Sequence, residues 1–166
     1  TLTLDVALRG AGSVCAVRGE DGILIAGSAI AEDGRLNFED LADVTGTIGA
    51  EAGATAAVTG DLGIAAGGRV SVGLDNAGTG QVTVDGSLTR GGTLALDVAI
   101  EFAASAGDRF EIIAAADGLD GAFDAFEGFD LPDDEAFILV EELDGRLFLE
   151  LSDDTTAAAA GFIDAI

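Results

Sequence analysis

Apolar residues alternate with small or acidic ones along much of this chain, and the alternation restarts after turns rich in glycine. The unit reads Ile30-Ala31-Glu32-Asp33-Gly34-Arg35-Leu36-Asn37-Phe38, then Ile64-Ala65-Ala66-Gly67-Gly68-Arg69-Val70-Ser71-Val72, then Leu88-Thr89-Arg90-Gly91-Gly92-Thr93-Leu94-Ala95-Leu96. Truncated copies stand near the ends, at Thr1-Leu2-Thr3-Leu4 and Gly145-Arg146-Leu147-Phe148-Leu149. A period of two predicts strands, and no long stretch carries the 3.6-residue period of an amphipathic helix. Each unit exposes an apolar face that only a neighbouring unit can cover, so repetition predicts an extended β architecture.

The fold class expected is all-β, a right-handed parallel β-helix or solenoid closed by an antiparallel C-terminal hairpin. Val58-Thr59-Gly60-Asp61 and Val82-Thr83-Val84-Asp85 lie 24 positions apart, as do Gly67-Gly68 and Gly91-Gly92. Such a period suits one coil of two or three short strands, and it would stack Leu94 over Val70 and Leu96 over Val72 at the ~4.8 Å strand spacing. A β-sandwich is the alternative, because alternation from Leu94 to Phe102 is long for a solenoid strand.

One repeat domain is expected over 1–152: N-terminal strands at 1–43, repeats at 44–102, a cap at 103–152, then a low-complexity tail at 153–166. Arg18-Gly19-Glu20-Asp21-Gly22 could fold its flanking apolar runs into a hairpin. Asp144-Gly145 between Phe137-Ile138-Leu139-Val140 and Leu147-Phe148-Leu149-Glu150-Leu151 predicts a two-residue type I′ hairpin, with Ile138 and Val140 opposite Leu151 and Leu149. The Phe-rich stretch from Gly121 to Phe129 completes the cap, whose different geometry discourages unplanned edge pairing.

Composition narrows the functions available. Asp and Glu number 31 against 7 arginines, for a formal charge of −24. A nucleic-acid partner or an anionic membrane surface would be repelled. Self-repulsion of this size calls for salt screening or bound cations and points to a saline or calcium-rich exterior. His, Lys, Met, Trp and Tyr are absent, which removes the commonest general base, the Schiff-base amine and the imidazole metal ligand. Sugar-cleaving carboxylate pairs lack the Trp or Tyr platforms that usually accompany them, so no enzyme is expected. The single Cys15, in an apolar run, reads as a small buried hydrophobe. No apolar run approaches the ~20 residues that span a bilayer.

Thr79-Gly80-Gln81-Val82-Thr83-Val84-Asp85-Gly86-Ser87-Leu88 followed by Gly91-Gly92-Thr93-Leu94-Ala95-Leu96 resembles the C-terminal passenger region of bacterial autotransporter-like surface proteins. Gly107-Asp108-Arg109-Phe110-Glu111-Ile112-Ile113, Gly121-Ala122-Phe123 and Gly145-Arg146-Leu147-Phe148-Leu149 resemble the terminal strands of the same passengers, so the likeness covers roughly 44–151. It implies a secreted β-helical stalk at a bacterial cell surface, used for adhesion, matrix or filament building.

Acidic clusters are the only candidates for chemistry. Asp130, Asp133, Asp134 and Glu135 surround the sole proline, Pro132, and form the candidate Ca²⁺ site, because oxygen-rich turns can supply several hard ligands. Asp117, Asp120 and Asp124 form another group, and Asp153 with Asp154 a third. No other cofactor is expected. Arg35, Arg69 and Arg146 follow turn glycines and read as spaced counter-charges. Leu2, Leu4, Val6 and Leu8 form one alternating strand with an open edge, the candidate self-assembly surface. The partners expected are further copies in an oligomer or filament, and a glycan, host or mineral surface; the alternative function is a calcium- or glycan-binding β module of a larger surface protein.

Overall fold

The computed structural model describes residues 1–14, 22–40, 42–129, 131, 135–152 and 163–164. The chain is a parallel β-solenoid with three faces around one core. Face 1 is a six-stranded sheet of β1 (Leu2–Leu4), β3 (Ile23–Ile25), β5 (Ala42–Val44), β8 (Leu62–Ile64), β12 (Leu88–Arg90) and β15 (Leu119–Gly121). Faces 2 and 3 belong to a second sheet of 13 strands. They are joined by β2 (Ala7–Val14) and β4 (Ser28–Phe38), each of which runs across both faces. Face 2 continues with β6 (Thr47–Ala50), β9 (Arg69–Asp75), β13 (Thr93–Val98) and β16 (Ala125–Glu127). Face 3 continues with β7 (Thr55–Val58), β11 (Gln81–Val84) and β14 (Arg109–Ala115), while the small β10 (Gly78–Thr79) folds back antiparallel on β9. The parallel stacking replaces the β-sandwich alternative.

Alternation becomes burial through registered ladders. On face 2, Leu8, Ala29, Ile48, Val70, Leu94 and Phe126 stack in sequence, and Val72 pairs with Leu96, as the spacing predicts. On face 3, Leu36, Ala56, Val82 and Ile113 form the matching inward ladder. Face 1 adds Ile23, Ala42, Leu62 and Leu88, and all these side chains from Ile23 to Ile113 meet in one buried core. Successive members of the face 2 ladder are 21, 19, 22, 24 and 32 residues apart, so a fixed period holds only locally.

Two expected repeat alignments change. Val58 pairs with Val84 rather than Val82, an offset of 26 residues, because the β9–β10 turn lengthens the corner between faces 2 and 3. Asp75 holds that turn by accepting the N–H groups of Ala77 at 2.7 Å and Gly78 at 2.9 Å. The Ile30 to Phe38 copy also belongs to a different place. Its Gly34 sits in the corner between faces 2 and 3, inside β4, whereas Gly68 and Gly92 sit between faces 1 and 2.

That last corner is built on a glycine stack. Thr47, Arg69 and Thr93 donate their N–H groups to the carbonyls of Gly27, Gly46 and Gly68 at 2.8, 2.8 and 3.0 Å. A Cβ on Gly46 or Gly92 would overlap the carbonyl oxygen of the glycine one rung below. Glycine is what lets backbone stack on backbone here.

The expected hairpin about residues 18–22 gives way to the solenoid. β2 pairs in parallel with β4, and β3 pairs in parallel with β1 and β5, because apolar alternation on both sides of the turn serves different faces. The strands of 1–43 therefore stack in the same ladders as those that follow.

Candidate assembly edge and cap

The two ends of the stack are built differently. At the N-terminal end β1 pairs only with β3 and β2 only with β4, so among the described residues no strand covers their outer edges. Leu2, Leu4, Val6 and Leu8 do not form one strand there. The chain breaks at Asp5-Val6 to turn from face 1 to face 2, and the Val6 carbonyl accepts the Ser28 N–H at 3.1 Å, the role that glycine takes in later coils. Leu4 and Leu8 turn inward and pack on the core while only partly buried, as does Val14, and Leu2 lies in register with the buried Ile23. Val6 projects from the corner, 64% exposed. Alternation alone places Leu2, Leu4 and Leu8 on the core side; the corner at Val6 carries no glycine to mark it.

At the C-terminal end, face 3 carries an antiparallel hairpin of β17 (Ala136–Glu142) and β18 (Arg146–Ser152), with β18 against β14 and β19 (Ile163–Asp164) along β17. The antiparallel cap stands, with its register corrected by one residue. The loop is Leu143-Asp144-Gly145, three residues rather than two, because Glu142 pairs with Arg146. Gly145 has φ +81° and donates its N–H to the Glu142 carbonyl at 3.2 Å, the left-handed position of a three-residue hairpin loop. Phe137 and Leu139, not Ile138 and Val140, stand opposite Leu151 and Leu149. The Phe-rich segment completes the lid: Phe126 ends the face 2 ladder, with ring centroids 6.4 Å from Phe123 and 5.3 Å from Phe129.

An ion pair pins this cap to the coils. Arg90 points inward from β12 and its Nη1 donates to Glu141 Oε2 of β17 at 2.8 Å, with the arginine side chain 6% exposed. Its Nε donates to the Asp120 carbonyl at 3.4 Å. A buried guanidinium needs such partners. The alternation predicts an inward side chain at 90 but not its partner, which lies 51 residues away.

The acidic candidates separate. Asp130, Asp133 and Asp134 lie outside the described residues, as do Asp153, Asp154 and Cys15. The carbonyl of Glu135 accepts the Leu131 N–H at 3.0 Å. Among the described residues no three acids or cysteines converge on a common point. Several acids instead hold corners through backbone donors. Asp124 Oδ2 accepts the Gly92 N–H at 2.7 Å, and Asp61 Oδ1 accepts the Ser87 N–H at 2.8 Å and its hydroxyl at 2.9 Å. The Ser87 N–H, and after it the hydroxyl, holds the Asp61 carboxyl below its usual 3.8. The arginines act as counter-charges in part: Arg69 pairs with Glu127 at 2.7 Å and Arg146 with Asp144 at 3.2 Å, while Arg35 donates to Asn37.

A shallow groove between the β9–β10 turn and the loop after β13 is lined by Asp75, Asn76, Ala99, Ile100 and Glu101. Its polar groups are engaged within the chain: Asn76 donates to the Glu101 carbonyl at 2.6 Å and accepts the Ala103 N–H at 2.9 Å. Among the described residues no helix is long and apolar enough to cross a membrane. No family model matches this chain, and no curated protein does.

Proposed function

We propose that this chain is a structural, non-catalytic solenoid of a bacterial cell surface or extracellular matrix, and that it self-associates by strand addition at open sheet edges. The observation that supports this reading is that, among the described residues, the outer edges of β1 and β2 at one end and of β15 and β16 at the other pair with no strand, while the hairpin extends face 3 alone. Uncovered strand edges are templates for pairing with another chain, and soluble proteins usually blunt them with charge, proline or a cap. A charge of −24 fits a saline exterior, where screening limits repulsion between copies.

Deleting the first rung would only bare the second, so a test must block the edge in place. In a parallel ladder alternate residues bond to opposite neighbours. The Leu2 N–H donates to the Gly22 carbonyl and the Leu4 carbonyl accepts the N–H groups of Ala26 and Gly27, which turns the N–H and carbonyl of Thr3 to the outer edge. Thr3→Pro combined with Ser13→Pro removes edge donors. Light scattering on the 166-residue chain should show assemblies in 0.5 M NaCl that the double variant loses. A wild-type chain that stays monomeric at high concentration in salt overturns the reading.

A further inference from the structure

Of the connections between strands that are described along their whole length, the longest runs from β13 to β14 through residues 99–108. Its first turn lifts Ile100 wholly into solvent. Phe102 packs back on the cap, with ring centroids 5.4 Å from Phe110 and 6.1 Å from Phe137. The Phe102 N–H donates to the Ala99 carbonyl at 2.9 Å, which makes the peptide between Ile100 and Glu101 the centre of the turn. Among the described residues, neither the Ile100 carbonyl nor the Glu101 N–H is bonded inside the chain. Asn76 clamps the far side of the turn: its Nδ2 donates to the Glu101 carbonyl at 2.6 Å and its Oδ1 accepts the Ala103 N–H at 2.9 Å.

Exposed loop tips are where proteases take hold of a folded chain, and what this tip offers selects the enzyme. The chain has no lysine, and no arginine stands between Arg90 and Arg109, so a cleft that requires a basic side chain finds nothing here. The one aromatic of the segment, Phe102, is engaged with the cap. Ile100 is the large side chain left free, which suits a primary pocket built for aliphatic residues. A protease needs the turn opened into an extended form, a local event that leaves the coils intact. Three bonds between 99 and 103 oppose it: the one that closes the turn and the two from Asn76.

We infer that this turn is a processing site for an endoprotease with an aliphatic primary pocket, that Asn76 gates it, and that the cut chain stays one particle. Hydrolysis adds water across the amide between Ile100 and Glu101: the C–N bond breaks, Ile100 gains a carboxylate and Glu101 an ammonium group. The pieces 1–100 and 101–166 remain joined by three ladders that cross the break, β11 with β14, β12 with β15 and β13 with β16. Val82 still meets Ile113, Leu88 meets Leu119 and Leu94 meets Phe126. Arg90 holds Glu141 across the same break at 2.8 Å. None of this depends on self-association.

The probe is elastase, whose primary pocket takes small aliphatic side chains, acting on the 166-residue chain with fragments read by mass spectrometry. A fragment ending at Ile100 should accumulate. Ile100→Asp should remove the cut after residue 100, and circular dichroism should find that variant folded, since the side chain it replaces stands free in solvent. Asn76→Ala should raise the rate of this cut about tenfold, because two of the bonds that oppose opening are gone. In native buffer the cut chain should keep the mass of the uncut one, and denaturant should part the pieces. Digestion that never yields a fragment ending at Ile100, or a cut there that persists in Ile100→Asp, overturns the site. An Asn76→Ala rate equal to that of the unaltered chain overturns the gate, and pieces that separate in native buffer overturn the joined particle.

Discussion

Gly92 shows at one residue why the corner between faces 1 and 2 takes glycine in the central coils. It combines φ +59° with a Cβ position that the Gly68 carbonyl already fills. Gly107 is equally left-handed, φ +92°, but nothing lies within 4 Å of its missing Cβ. Gly107→Ala should therefore cost about 1 kcal/mol, the conformational term alone, and Gly92→Ala about 3 kcal/mol once overpacking is added. Denaturant unfolding of the two variants measures the difference. Asp61 gives a second test at this scale. Its folded pKa lies below the unfolded value, so its bonds to Ser87 stabilise the fold above that unfolded value, and the contribution is lost as pH falls through the folded pKa. Ser87→Ala removes the hydroxyl but keeps the backbone donor, so carboxyl NMR should find Asp61 titrating nearer to 3.8 while still below it.

Among the elements, the cap hairpin hangs on an ion pair with one side chain almost fully enclosed. Glu141→Ala strands the Arg90 guanidinium in the core and should destabilise by about 3 kcal/mol, whereas the Arg90→Met, Glu141→Leu double variant should recover most of that loss. Thermal melts of the single and double variants give the comparison. The elements themselves were largely legible in the sequence. Val70, Val72, Leu94 and Leu96 alternate strictly on either side of a Gly-Gly turn, and both the face and the stacking follow from that. Position along the corners was not legible. Nothing local distinguishes Gly34, inside a continuous strand, from Gly68, between two strands, and Asp144-Gly145 looks the same whether the loop holds two residues or three. The edge leucines were readable from alternation, while the break at Val6 and the Arg90 pairing depend on contacts made after the coils close. Asp124, one of the grouped acids, has another use in its turn, as does Asp75, which the sequence reading did not single out. Carboxylates of Asp75 and Asp124 serve backbone N–H groups, which favours Asp at such turns without any metal.

For the whole molecule, charge is the dominant external control. With −24 on the chain, salt should raise the melting temperature by screening repulsion that the unfolded coil relieves through expansion, and scans from 0.02 to 0.5 M NaCl give the trend. The uneven coils have another outcome. A rung of 19 residues and one of 32 both advance the stack by a single strand spacing, ~4.8 Å. Extra sequence is taken up sideways, above all in the loop between β13 and β14, where Ile100 stands fully in solvent. Four residues inserted after Ile100 should cost less than about 1 kcal/mol, since lengthening a loop is cheap, while the same insertion after Ala26 should disrupt the glycine corner. The length of the solenoid is thus graduated in rungs: it is set by how many times the chain goes round, and the outer loops can be rewritten without changing the distance the rungs span.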